Sequence, residues 1–283
     1  MRYKMQKSDL NNLSKTAIRS LFKKVDLNCL LGVETQLKDS IGFKKVYQKK
    51  HVVFYQLSNE GDLYVSKKTF IRFLQVVGIK QTVYPEKTVY LKINHYAENT
   101  LKVLSEMDAL LIKNDELWVA IEGYAGAGKT TLSKQLSLIY DASVFHTDDF
   151  FKKPNIDPSV PFSSYGANID YDKIHHHVIK VLSQKQTVLY EPFDFKTHQH
   201  QPPIKVIYKP IHIFEGAFVL HPSMKQTFDL KVFYDIPLFK QYHLIFRRSG
   251  FKRLWKFITT WIPNERNYVK GLEIKKQCHL IIK

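Results

Sequence analysis

The sequence has only two cysteines, Cys29 and Cys278, among 283 residues. Two thiols are too few for a disulfide framework or a cysteine-rich zinc site. No apolar run approaches the ~18 residues needed to cross a bilayer. The first residues, MRYKMQKSDLNN, lack the apolar core of a secretory signal. We therefore expect a protein of the reducing cytoplasm that has no membrane partner.

Acidic residues are scarce beside basic ones, at 26 against 43, and the formal net charge is +17. Such an excess favours an anionic partner, such as a nucleotide, a nucleic acid or a membrane surface. The basic residues are scattered in singles and pairs, such as Lys23-Lys24 and Lys44-Lys45, which favours solvated surface charges instead. The net charge alone therefore does not identify a binding partner.

Strands and helices alternate from about residue 96 to residue 283. Apolar residues at helical spacing predict a first helix that ends near Lys113, and the apolar run at residues 117–121 predicts a buried parallel strand. Further helices are predicted at 128–140, 171–183, 238–248 and 252–261, and strands at 142–146, 187–190, 212–214, 230–234 and 279–282. This alternation predicts an α/β fold with a doubly wound parallel sheet.

Residues 1–95 predict a smaller α+β domain of unknown role. The predicted elements are helices at 14–25 and 34–41, a hairpin with strands at 52–57 and 63–66, and a helix at 68–77. Two helices before a basic hairpin could form a winged nucleic-acid-binding module. The alternative is an extension that packs on the C-terminal domain or forms a homo-oligomer.

Residues 123–130 read Gly-Tyr-Ala-Gly-Ala-Gly-Lys-Thr, the pattern G-x-x-x-x-G-K-[ST] of a phosphate-binding P-loop. Its glycines allow backbone conformations that a Cβ would obstruct, so that amide N–H groups can point at phosphate oxygens. Lys129 would reach the β and γ phosphates, and the Thr130 hydroxyl would ligate Mg²⁺. The motif follows a predicted strand and opens a predicted helix, as this mechanism requires.

The motif predicts a P-loop NTPase fold of the nucleoside and nucleotide kinase type, with ATP and Mg²⁺ as cofactors. The predicted nucleotide contacts are Gly123, Tyr124, Ala125, Gly126, Ala127, Gly128, Lys129, Thr130 and Thr131.

Two later strands of the predicted sheet end in acidic residues. Asp148 and Asp149 follow the strand at 142–146, and Glu215 follows the strand at 212–214. The carboxyl ends of parallel strands meet at one crevice. Phosphoryl transfer needs one carboxylate to orient or deprotonate the acceptor hydroxyl and another to hold Mg²⁺. The alternative for Asp148 and Asp149 is an ordinary position at a helix N-terminus.

Two further groups of residues suit this chemistry. Arginines around residues 247–253 could form a lid over the γ-phosphate, although a solvated basic helix end would look the same. Phe150, Phe151, Phe193 and Phe195 could stack on a base, or could be core residues. Three consecutive histidines at 175–177 point in different directions on a helix and make a poor metal site.

Seven motifs stand in a characteristic order: IEGYAGAGKTTL (121–132), VFHTDDFF (144–151), NIDYDKI (168–174), FDFKTH (193–198), HIFEGAF (212–218), RRSG (247–250) and WIPNERNYV (261–269). Together they resemble the uridine kinase family of P-loop kinases, especially its bacterial uridine kinase-like branch, over about residues 100–283. The resemblance implies transfer of the γ-phosphoryl group of ATP to the 5′-hydroxyl of uridine or cytidine, a reaction of pyrimidine salvage. The kinase domain would span residues 96–283.

The resemblance also implies a role for individual residues. Asp148 would be the base that takes the proton from the sugar hydroxyl, and Asp170 would bind the ribose hydroxyls. His198 would face the pyrimidine ring, Glu215 would help to hold Mg²⁺, and Arg248 would be a catalytic lid arginine at the phosphates.

Two positions depart from the family pattern. Phe193 occupies the position at which relatives that recognise uridine often have a tyrosine in contact with the nucleobase. Leu244 occupies the position at which a further lid arginine is common. Losing a polar contact can change substrate discrimination strongly. Three alternatives therefore stay open: a P-loop kinase of another small alcohol, a nucleotide-gated nucleic-acid-binding regulator that reads through residues 1–95, and a scaffold without kinase activity.

Overall fold

The computed structural model describes residues 40–49, 52–58, 61–78, 82–83, 90–152, 166, 168–194, 197–224, 226 and 228–283. The chain divides into two compact units, one ending at Ile112 and the other spanning Lys113–Lys283. The sequence placed the domain boundary after residue 95, before a helix that this division assigns to the first unit. That helix buries Leu101 and Leu104 against strands of the first unit, which explains the difference.

In its described residues, the first unit is an antiparallel sheet with two helices. Its described strands are β1 (Ser40–Lys49), β2 (Val52–Ser58), β3 (Leu63–Ser66), β4 (Thr82–Val83) and β5 (Tyr90–Asn94), and its described helices are α1 (Lys67–Val77) and α2 (His95–Leu111). The strands lie in the order β3-β1-β2-β5-β4. Phe70 of α1 packs on Phe43 of β1 with ring centroids 5.4 Å apart, which joins the helix layer to the sheet.

The predicted hairpin of residues 52–57 and 63–66 is wrong. Both segments are strands, but β2 and β3 each pair with β1, which lies between them. The predicted helix at 34–41 is also wrong at its end, because Ser40 and Ile41 begin β1. Its earlier residues and the predicted helix at 14–25 lie outside the described residues. The wing that a winged-helix interpretation required is thus not formed by these strands.

The second unit is an α/β sheet with helices between its strands. Its described strands are β6 (Leu117–Gly123), β7 (Ser143–His146), β8 (Val188–Tyr190), β9 (Phe193–Asp194), β10 (Gln199–His200), β11 (Ile204–Val206), β12 (Ile211–Glu215), β13 (Leu230–Tyr234) and β14 (Leu280–Ile282). Its described α-helices are α3 (Lys129–Tyr140), α4 (Tyr171–Ile174), α5 (Lys180–Ser183), α6 (Leu238–Lys256) and α7 (Ile262–Gly271).

Five of these strands form one parallel sheet in the order β14-β13-β6-β12-β7. The order reverses around β6, so the crevice for ligands opens at the carboxyl end of this strand. This sheet confirms the predicted fold class. The strand predicted at 187–190 is present as β8, but it pairs antiparallel with β11 and not with the parallel sheet.

The two helices predicted at 238–248 and 252–261 are both present, and they follow each other across a kink at Gly250. Gly250 interrupts α6 with φ 74° and ψ 179°, and a π-helical turn at Phe257–Trp261 joins α6 to α7. Glycine adopts this left-handed φ without the steric cost that a Cβ would add. No helix of the described residues is long and apolar enough to cross a membrane.

Candidate active site

The P-loop connects β6 to α3 and closes tightly on the neighbouring strand β13. Gly123 has φ 146°, and a Cβ at this position would lie 2.4 Å from the carbonyl oxygen of Tyr234. Gly128, with φ 112°, is the N-cap of α3, so the N–H groups of the first helical turn face the loop. The cradle thus depends on glycine where the sequence predicted it.

Lys129 is nearly buried at the start of α3, and its side chain folds along the loop. Its ammonium group donates to the carbonyl oxygens of Gly123 at 2.6 Å and of Tyr124 at 3.3 Å. A cation held in this way provides positive charge inside the loop, and no carboxylate among the described residues neutralises it by an ion pair. This is the electrostatic environment that a polyphosphate requires.

Glu215 links the P-loop helix to β7 at the carboxyl edge of the sheet. Its Oε1 accepts from the Thr130 hydroxyl at 2.9 Å and lies 2.5 Å from Nδ1 of His146. Burial alone would raise the pKa of Glu215, but the hydrogen bond from His146 and the charge of Lys129 outweigh burial and lower it. The same bond to Glu215 raises the pKa of His146. His146 was not predicted as a site residue from the sequence, although its position at the end of β7 was the available signal.

Asp148 and Asp149 occupy different environments in the turn after β7. The Asp149 carboxylate accepts from the Tyr190 hydroxyl at 2.7 Å, whereas the Asp148 side chain is open to solvent on one side. Desolvation by the surrounding protein raises the pKa of Asp148, the Lys129 charge opposes this, and Glu215 and Asp149 add to it. Lys129 and Asp148 are therefore close enough for their charges to interact.

The oxygen atoms of Thr130 and Glu215 fit Mg²⁺, which takes oxygen ligands and usually keeps only one or two from protein. No group of three or more His, Cys, Asp or Glu residues in the described part of the chain could hold a metal by itself. That includes His175, His176 and His177, which lie together in a π-helical turn. Phosphate oxygens and water would therefore complete the coordination of any Mg²⁺ here.

The predicted acceptor residues lie on segments that follow the Asp148 turn. Asp170 donates its N–H to the carbonyl oxygen of Phe150 at 2.7 Å, and its carboxylate caps α4 by accepting from the Lys173 N–H at 2.9 Å. The exposed His198 lies against Phe193, with ring centroids 6.4 Å apart. Asp170 therefore lies next to the Asp148 turn and His198 next to Phe193, and the binding roles of both residues stay predictions.

Three aromatic side chains, which we call the aromatic wall, line up beside this region: Phe151, Phe193 and Trp261. The Phe151 ring stacks on Phe193 at 6.4 Å and meets Trp261 edge-on at 5.8 Å. Trp261 was not singled out in the sequence, because its helical spacing is also that of an ordinary packing residue. Phe195 lies outside the described residues.

The predicted lid arginine makes no hydrogen bond to the described residues of the P-loop. Arg248 is exposed on α6 and makes no ion pair with a described carboxylate. At the base of the same helix, Leu244 and Ile245 lie beside Gly126, where an added Cβ would be 3.7 and 3.5 Å from them. The catalytic role of Arg248 therefore stays a prediction that requires movement of α6.

A fully buried carboxylate, Glu122, stands directly before the P-loop and was also missed. Its two oxygens accept the N–H groups of Gly123, Phe218 and Leu220 and the hydroxyl of Tyr268, at 3.1–3.2 Å. Burial raises its pKa to about 7, against the opposing charge of Lys129. Glu122 thereby ties the P-loop to the turn after β12.

We expect Glu122→Gln to destabilise the second unit by about 2–4 kcal/mol, because the amide NH₂ must face two buried donors in either orientation. Chemical unfolding at pH 8 followed by tryptophan fluorescence measures this, since all three tryptophans belong to the second unit. The control is Tyr268→Phe, which removes one donor and should cost about 1 kcal/mol. Equal stability of Glu122→Gln and wild type would contradict this role.

Two solved structures align with more than half of this chain. A "possible uridine kinase" from Bacillus stearothermophilus aligns with a TM-score of 0.51 and 22% identity, over 66% of this chain and 100% of that chain. A "putative fructose transport system kinase" from Silicibacter sp. TM1040 aligns with a TM-score of 0.49 and 18% identity, over 59% of this chain and 90% of that chain. No family model and no curated protein sequence matches this chain. At 22% identity, the first alignment shows a shared P-loop kinase fold, and function has to be argued from the site.

Proposed function

We propose that this protein is an ATP- and Mg²⁺-dependent kinase that phosphorylates the 5′-hydroxyl of a pyrimidine nucleoside, uridine or cytidine. The observation that carries the proposal is the convergence of Lys129, Thr130, Glu215 and Asp148 at one edge of the parallel sheet. A cation, a hydroxyl, a metal-binding carboxylate and a free carboxylate are the groups that phosphoryl transfer to an alcohol uses.

Each residue of the site has a defined task in this reaction. The P-loop amides and Lys129 bind the triphosphate and hold its terminal phosphate in line with the acceptor. Asp148 accepts the proton of the attacking hydroxyl, and Asp149, held by Tyr190, keeps the turn in place. Mg²⁺, when bound by Thr130 and Glu215, supplies charge neutralisation at the phosphates. Arg248 would complete the site if α6 closes.

The acceptor side supports a flat substrate with hydroxyl groups. Phe151 and Phe193 are buried and stack on each other, as core residues do, whereas Trp261 at the end of the aromatic wall is half-buried and offers a ring that could stack on a base. Asp170 offers a carboxylate to ribose hydroxyls. Phe193 has no hydroxyl that could hydrogen-bond to the edge of a nucleobase. Discrimination among nucleobases would therefore depend on His198 and on the shape of the acceptor site. These features are also compatible with a kinase that phosphorylates another small alcohol. The acceptor assay below distinguishes this alternative from a nucleoside kinase.

We expect uridine or cytidine to stimulate ATP consumption by at least about tenfold over the background without acceptor, as positioned acceptors do in P-loop kinases. The measurement is coupled ADP release with a panel of ribonucleosides, 2′-deoxynucleosides, sugar phosphates and pantothenate. Deoxyribonucleosides are the matched control, because Asp170 predicts a preference for two ribose hydroxyls. Stimulation by a sugar phosphate or pantothenate, with none by any nucleoside, would replace the nucleoside assignment with the other alcohol.

A further inference from the structure

Glu265, in the first turn of α7, reaches the P-loop from the far end of the chain. Its side chain is only 6% exposed. Its Oε2 accepts the backbone N–H of Ala125 at 3.1 Å and the side-chain amide of Gln241 at 3.1 Å. One carboxylate oxygen therefore joins the P-loop to the first turns of α6.

Arg266, the next residue of α7, makes a second connection between the same parts. Its Nη2 donates to Oε1 of Gln241 at 2.9 Å, and its guanidinium carbon lies 4.2 Å from the centre of the Tyr124 ring. A guanidinium over a tyrosine face is an attractive cation–π arrangement. Two adjacent residues of α7 thus hold two adjacent residues of the P-loop, with the fully buried Gln241 as the shared partner.

These contacts decide how the P-loop can present its amides. The Ala125 N–H is donated to Glu265, so the amides that follow it in the loop have to supply the phosphate nest. A loop with three glycines at positive φ has many alternative conformations, and a fixed amide at its third position restricts them. Pre-organisation of this kind raises ligand affinity by reducing the ordering that binding requires.

The same contacts divide α6 into a fixed part and an exposed part. Gln241 and Ile245 are fully buried. From residue 246 to residue 261 no side chain is buried, and Gly250 interrupts the helix within this stretch. The base of α6, by which we mean residues 238–245, is therefore attached to the P-loop. The segment from residue 246 onward, which carries Arg248, projects into solvent.

We propose that Glu265 is a positioning residue that holds the P-loop and the base of α6 in the arrangement required for nucleotide binding. This inference rests on the proposed kinase function. It predicts a specific loss: Glu265→Ala should weaken binding of the Mg²⁺ complex of a non-hydrolysable ATP analogue by about tenfold or more, since a buried charge-assisted bond to the loop is lost. The Michaelis constant for ATP should rise similarly, whereas that for the acceptor should change less than threefold.

The experiment compares the full-length wild-type protein with Glu265→Ala, Glu265→Gln and Glu106→Ala by calorimetric titration, steady-state kinetics and thermal unfolding. Glu265→Gln should bind within about threefold of wild type, because its amide oxygen can still accept from Ala125 and Gln241. Glu106→Ala changes an exposed glutamate of α2 and should bind as wild type does. If Glu265 had only a structural role, Glu265→Ala would lower the thermal stability and the active fraction of the protein but would not change its affinity for the nucleotide.

Four results would overturn the proposal. Equal nucleotide affinity of folded Glu265→Ala and wild type overturns the positioning role alone. Loss of binding in Glu265→Gln as large as in Glu265→Ala overturns the hydrogen-bond argument. No nucleotide binding by wild type overturns the proposed kinase function and this inference with it. Should Glu265→Ala fail to fold, Gln241→Met removes the shared partner, and unchanged affinity in that variant also overturns the proposal.

Discussion

Replacing Lys129 with methionine should lower kcat/KM by more than about 10³-fold, which is effectively loss of turnover. The ammonium group is nearly buried and held by the carbonyl oxygens of Gly123 and Tyr124, so it is fixed before the substrate arrives. A fixed cation stabilises charge on the transferred phosphoryl group without further reorganisation. Methionine keeps the length and apolar stem of lysine and removes the charge.

The measurement is initial rate against ATP concentration at saturating acceptor, with thermal unfolding to show that the variant is folded. Lys134→Ala, which removes an exposed lysine one turn further along α3, is the matched control and should retain wild-type kinetics. If folded Lys129→Met keeps kcat/KM within tenfold of wild type, the P-loop does not carry phosphoryl transfer.

The geometry of the P-loop could be predicted from sequence because its residues are local. The glycines, Lys129 and Thr130 lie in one stretch between a strand and a helix, and the structure has β6 and α3 on either side. The carboxylates after β7 and β12 could also be predicted, because parallel strands direct their carboxyl ends to the same edge. The observed pairing of β12 with both β6 and β7 brings Glu215 next to both the P-loop helix and the Asp148 turn.

Contacts between distant segments could not be predicted in the same way. Glu265 lies 140 residues after Ala125, and no periodicity or spacing in the sequence links the two. The predicted strand pairing in the first unit was wrong for a related reason. β2 and β3 are close in sequence, and the sequence pattern of both is typical of hairpin strands. A long β1 inserted between them, and strand order is decided by tertiary packing, which local patterns do not record.

Replacing Asp148 with asparagine should lower kcat by about 10²–10⁴-fold and leave the affinity for the nucleotide within about threefold of wild type. Asparagine keeps the shape of the side chain but cannot accept the proton of the attacking hydroxyl. Because surrounding protein raises the pKa of Asp148, the wild-type rate should fall as the pH is lowered through that raised pKa, where the base becomes protonated. The residual rate of the variant should lack this acidic limb.

The neighbouring carboxylate provides the matched control for Asp148. Asp149→Asn alters an acid whose oxygen is already engaged by the Tyr190 hydroxyl, and asparagine can still accept that bond, so the loss in kcat should stay below tenfold. The pH dependence of kcat is measured for all three proteins with the preferred acceptor. Full activity in Asp148→Asn would remove the base assignment. An equal loss in both variants would mean that the turn as a whole, and not the solvent-facing carboxylate, controls the chemical step.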